Sequence, residues 1–124
     1  MSNDLPDQKQ LEDYMLAKPG AKLDYPFGEG VAVYKVMDKM FAIINEGKTP
    51  ANISLKCDPL LAETLRERYE EVQPGYHLNK RHWNTIVVSG QLEKQEIFDL
   101  INHSYDLVVG GLTKQDQAKL VSAE

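Results

Sequence analysis

The chain has 124 residues, 42% hydrophobic and 27% charged, the balance of an ordinary globular protein of single-domain size. Its formal net charge of −5 weighs against wholesale neutralisation of nucleic-acid phosphates by clustered cations. The single cysteine, Cys57, excludes an intramolecular disulfide and a cysteine-based zinc site.

The opening MSNDLPDQKQ lacks the basic and apolar regions of a signal peptide, so a cytoplasmic location is expected. A first helix is predicted over 7–17, where Leu11, Tyr14 and Met15 make an apolar stripe and Lys18-Pro19-Gly20 stops it. Its polar side is acidic: Asp4, Asp7, Glu12 and Asp13 stand against Lys9 alone.

Pro26, Gly28 and Gly30 mark a bend, after which VAVYKVM (31–37) and MFAIIN (40–45) read as a hairpin turning at Asp38-Lys39. With Met37 opposite Met40, one face collects Tyr34, Val36, Phe41 and Ile43 as core. The other carries Val33, Lys35, Met37, Met40, Ala42 and Ile44. NISLKC (52–57) alternates as a third strand, Ile53, Leu55 and Cys57 inward and Asn52, Ser54 and Lys56 outward. Asp58-Pro59 then starts a helix through LLAETLRERYEE, burying Leu61, Leu65 and Tyr69.

Residues 76–79 and 83–88 read as two more strands. The longest helix follows over 93–109, with Ile97, Leu100, Ile101, Tyr105 and Val108 on one face and Gly110-Gly111 as its stop. A short final helix, about 114–121, is announced by Thr113 and Asp116 in a capping-box spacing. Three strands, a helix, two strands and two helices after an opening helix indicate an α+β domain with an antiparallel sheet of about five strands flanked by helices. The core spans about 7–112 within one domain, 1–124.

The densest chemistry lies in HLNKRHWNT, residues 77–85. His77 and His82 are five apart with no carboxylate from Val72 to Leu92, and His103 is on a helix, so a three- or four-ligand metal set is missing. Cys57 reads as a small buried hydrophobe and Glu70-Glu71 as solvated surface. Gly28-Glu29-Gly30 lacks the third glycine and the strand–helix context of a dinucleotide fingerprint. No enzyme, metal or cofactor is expected.

Nucleic-acid binding finds more support, because the acid-free stretch carries Lys80 and Arg81 at a hairpin tip. Those cations can reach phosphates, Asn79 and Asn84 base edges, and Trp83 an exposed base; Lys35 and Lys39 flank the other tip. The plainer reading makes Trp83 a core or rim residue and the cations a soluble turn.

Taken together, PGAKLDYPFGEGVAVYKV (19–36), DKMFAII (38–44), ISLKCDP (53–59), PGYHLNKRHWNTIVVSG (74–90) and SYDLVVGGL (104–112) resemble the MmcQ/YjbR-like family. Its Asn-Lys-x-His-Trp block is present as Asn79, Lys80, His82 and Trp83. The resemblance implies a compact YjbR-like α+β fold related to secretion-chaperone-like and CyaY-like sheets. It also implies a non-enzymatic DNA-binding role for two hairpins in a double-wing arrangement.

DNA is thus the leading expected partner, with Lys80 and Arg81 on phosphates, Lys35 and Lys39 in support, and His82 and Trp83 facing the ligand or shaping the loop. The alternative is a protein-interaction or chaperone-like module, homodimeric through Val33, Met37, Met40 and Ile44. No apolar run approaches the roughly 20 residues that span a bilayer, so no membrane association is expected.

Overall fold

A computed structural model describes residues 5–75 and 78–122. Asp4, Tyr76 and His77 lie outside the described residues. The elements run α1 (Gln8–Leu16), β1 (Ala21–Asp24), β2 (Val31–Val36), β3 (Lys39–Asn45), β4 (Asn52–Lys56) and α2 (Pro59–Arg68). They continue with β5 (Val72–Pro74), β6 (Trp83–Val87), α3 (Lys94–Gly110) and α4 (Lys114–Ser122). The fold is α+β, with six antiparallel strands in the order β1-β2-β3-β4-β6-β5.

Local chemistry sets the helix boundaries. Asp7 caps α1 reciprocally: its Oδ1 accepts from the Gln10 amide at 2.9 Å, while the Asp7 amide donates to Gln10 Oε1 at 3.0 Å. Asp58 Oδ2 accepts from the Leu61 amide at 3.2 Å and Pro59 opens α2. The expected Thr113 cap of α4 is present, its Oγ1 accepting from the Asp116 amide at 3.1 Å.

One layer of helices covers the sheet. Leu11 and Met15 of α1 and Ile97, Ile101, Tyr105 and Val108 of α3 share a cluster with the strand residues Tyr34, Ile44, Ile53 and Ile86. That continuous apolar burial is the main favourable term for the fold. No described helix is long and apolar enough to cross a membrane.

The structure corrects the sequence reading in three places. The sixth strand, β1, went unseen because three of its four residues are exposed, so it carries no buried apolar pattern. The helix expected through Glu71 ends at Arg68, and a strand forms at Val72–Pro74, while the expected strand 76–79 falls partly outside the described residues. Val72 is needed in the core opposite Ile86, which pulls the chain out of helix early.

The first hairpin turns one residue before the expected position. Met37 and Asp38 both take positive φ, 49° and 64°, as a two-residue turn demands, and Val36 pairs with Lys39. A bulge follows: Lys35 pairs with Met40 but Tyr34 with Ala42, leaving Phe41 as the extra residue. Because side chains alternate, the changed register moves Ala42 and Ile44 to the core face and sets Ile43 opposite Val33 on the other.

Candidate functional site

Gly75 and residues 78–82 lie between the edge strand β5 and β6, and several backbone ties hold them in place. The Gly75 amide donates to the Trp83 carbonyl at 2.8 Å, closing its base. A Cβ on Gly75 would lie 2.7 Å from Trp83 Cβ and 3.0 Å from the Trp83 carbonyl oxygen, so only glycine allows this approach.

Asn79 builds the bend. Its side-chain Oδ1 accepts from the Arg81 amide at 2.9 Å, and its carbonyl accepts from the His82 and Trp83 amides at 3.2 and 3.0 Å. The His82 carbonyl then accepts from the Cys57 amide at 2.7 Å, fastening the loop to the end of β4. Lys80 Nζ donates to the Gly75 carbonyl at 3.2 Å.

Arg66 of α2 completes the scaffold. Its Nε donates to Asn84 Oδ1 at 2.6 Å, and its Nη2 donates to the Lys80 carbonyl and, at 3.2 Å, to the Trp83 carbonyl. A planar fork of donors suits this task, which a lysine cannot reproduce.

These contacts sort the expected nucleic-acid residues. Lys39, Lys80 and Arg81 are exposed. Trp83 is 8% exposed and Asn84 2%, so Trp83 is no stacking platform and Asn84 no reader of base edges. Asn84 instead accepts from Arg66 and donates to the Ala62 carbonyl at 3.4 Å. The Asn79 carboxamide oxygen serves the turn, and His82 is half-buried. Lys35 is tied to Asp24 at 3.2 Å.

The alternative partner surface does not form. Val33 and Ile44 are fully buried and lie on opposite faces of the sheet, while Met37 and Met40 are half-buried.

Strand direction brings the two tips together. With β4 antiparallel to both β3 and β6, the start of β3, the end of β4 and the start of β6 share one end of the sheet. A cleft of about 360 Å³ opens there, lined by Lys39, Met40, Lys56 and Trp83 and by Leu107, Val108, Gly111 and Leu112 at the end of α3. Lys56 was read only as an outward strand residue. Its place in the cleft depends on β4 pairing with β6, a contact no local pattern encodes.

Lys39, Lys56, Lys80 and Arg81 therefore stand at one end of the molecule, and none has an ion-pair partner among the described residues. Asp38 and Asp58 are the nearby acids in sequence, and Asp58 is engaged as the cap of α2. A second groove, of about 630 Å³ beside β1, mixes Lys22, Lys35 and Lys119 with Asp24, Asp38 and Asp116, so its charges offset one another.

Cys57 is buried beside the site, and burial pushes its thiol up to about 11, with Asp58 adding to the effect. His103 accepts the Asp58 amide proton on Nε2 at 3.2 Å, a structural contact. Among the described residues, no three or more of His, Cys, Asp and Glu are grouped to hold a metal ion.

Comparison with known proteins agrees with this architecture. The YjbR family model matches residues 16–107. The uncharacterized Escherichia coli protein YjbR is 37% identical over 112 residues, 90% of this chain and 95% of its own length. The uncharacterized protein YbdF of Escherichia coli O157:H7 is 36% identical over 105 residues, 85% of this chain and 86% of its own.

A Deinococcus radiodurans protein assigned to domain DUF419 superposes with a TM-score of 0.87 at 31% identity, covering 96% of this chain and 90% of its own. A Pseudomonas syringae protein gives a TM-score of 0.69 at 32% identity, covering 82% of this chain and 98% of its own. With the family model spanning most of the sheet and its helices, and relatives matched along nearly their whole length, the chain belongs to the YjbR family.

Proposed function

We propose that this protein is a non-enzymatic DNA-binding protein that grips the phosphate backbone without reading bases. It does so through the sheet end that carries Lys39, Lys56, Lys80 and Arg81. The supporting observation is that strand pairing brings these four cations to one end of the sheet, with no acid partner among the described residues, on an otherwise acidic chain. The two hairpin tips flank Lys56 as the arms of a shallow cradle.

Buried Trp83 and Asn84 give the loop its shape, so affinity comes from charge and geometry. The reading is tested by fluorescence anisotropy of a labelled DNA duplex across a salt series. Binding should weaken with salt on a log–log slope of about −3 to −4, and each of Lys56→Ala, Lys80→Ala and Arg81→Ala should remove about 0.9 of that slope. Absence of binding at about 50 mM salt, or a slope untouched by these substitutions, would overturn it.

A further inference from the structure

The two edges of the sheet differ in a way that points to a partner. β5, at one edge, has three residues and ends in Pro74, which has no amide proton to offer. β1, at the other edge, is the four-residue AKLD, with no proline and no bulge in its pairing to β2. The Ala21 amide is turned to the Lys18 carbonyl at 3.1 Å, so extension of the sheet rests on the backbone groups of Leu23.

The surface around β1 is apolar to an unusual degree for this molecule. Six large hydrophobic side chains are exposed among the described residues, and four of them, Leu16, Leu23, Tyr25 and Phe27, lie in β1 or the segments flanking it. Leu16 ends α1, the helix that packs beside β1. Lys22 stands directly across from Lys35, whose ammonium turns to Asp24 at 3.2 Å. Lys22 is left with no acid of its own among the described residues.

We infer that β1 pairs antiparallel with β1 of a second copy about a two-fold axis through Leu23, joining two sheets into one. Symmetry and the pleat select this register. In an antiparallel pair, residues facing each other must both turn their hydrogen-bonding groups toward the partner or both away, so a two-fold axis must pass through a residue. An axis at Lys22 sets lysine against lysine, and an axis at Asp24 sets aspartate against aspartate. The axis at Leu23 places Leu23 on its own copy and Lys22 opposite Asp24 on both sides, the favourable cross-strand arrangement.

Asp24 then lies between Lys35 of its own chain and Lys22 of the partner. Both Leu23 side chains stay on the helix-covered face, since Leu23 pairs with the core residue Tyr34. The interaction surface expected from the hairpin face is buried, whereas this one is open and self-complementary.

The full chain should show a concentration-dependent mass rising from 14.1 kDa toward twice that value in sedimentation equilibrium, on the order of 100 µM, as suits a small interface. Lys22→Asp and Asp24→Lys should each weaken association by about tenfold or more by setting like charges opposite one another. The double variant Lys22→Asp with Asp24→Lys should restore it, and circular dichroism of each single variant should match the wild type. A strict monomer up to about 500 µM overturns the inference. So does a dimer indifferent to the single substitutions, or a double variant that stays as weak as either single.

Discussion

The Arg66 guanidinium and the Asn84 carboxamide, 2.6 Å apart from Nε to Oδ1, join α2 to β6, the strand that begins with Trp83. The same guanidinium holds the carbonyls of Lys80 and Trp83, so one side chain of α2 fixes where the loop's cations stand. In the proposed DNA contact Arg66 therefore acts only through position.

Replacing Arg66 by alanine leaves the Asn84 oxygen buried without its donor and frees the loop. A loss of about 1–3 kcal/mol in urea-unfolding stability is expected, with faster amide exchange at His82 and Trp83, whose amides donate to the Asn79 carbonyl. Arg66→Lys should recover only a minor part, because an ammonium cannot span Asn84 and both carbonyls in one plane. Unchanged stability together with unchanged exchange would show that the fork holds nothing in place.

A second buried polar group secures the other end of the sheet. Glu71 is 6% exposed, and its carboxylate accepts from Ser89 Oγ at 2.8 Å and from the amides of Gln91 and Leu92 at 2.8 and 3.2 Å. Gln91 Oε1 returns the contact to the Glu71 amide at 3.0 Å. This carboxylate fastens the chain between β6 and α3 to the start of β5. Glu71→Gln turns a donating carboxamide NH2 toward donors that need an acceptor, and should cost about 2 kcal/mol. The urea midpoint measures the loss, and the Gln91 and Leu92 amides should lose protection. A midpoint matching the wild type would remove Glu71 from the interactions that secure the fold.

Glu71 and Lys56 mark the limit of what the sequence could disclose. Alternation in 52–57, the Asp58-Pro59 start and the stripe of Ile97, Ile101 and Tyr105 are local, so the elements they define were legible. Glu71 looked like surface because its partners lie 18 to 21 residues away, in a loop without a pattern of its own. Lys56 gained meaning only when β4 and β6 were paired. The hairpin faces were misassigned by a one-residue turn shift and a bulge, since neither Met37 nor Asp38 is the glycine that would have marked the turn. Lys80 and Arg81 were legible as exposed cations, while the burial of Trp83 and Asn84 was decided by Gly75, Arg66 and Ala62 from outside the block.

Tyr34 provides a test of the core itself. It is fully buried on the helix-covered face, and its hydroxyl has no hydrogen-bond partner among the described residues. A buried hydroxyl without a partner opposes folding, so Tyr34→Phe should leave the protein as stable or stabilise it by about 1 kcal/mol at neutral pH. Burial, reinforced by Glu12 nearby, holds the phenol's pKa well above its ordinary value of 10.0. The folded chain therefore keeps this proton at pH values where the unfolded chain releases it, and stability falls as pH rises beyond about 10. Cys57 acts in the same direction, starting from its ordinary value of 9.0 and extending to about 11. Urea midpoints at pH 7 and pH 10.5 should show the advantage of Tyr34→Phe widening at the higher pH, with the Cys57 part of the decline still present. A parallel decline in both proteins, or a phenylalanine variant distinctly weaker at pH 7, would mean that the hydroxyl has a partner in solution.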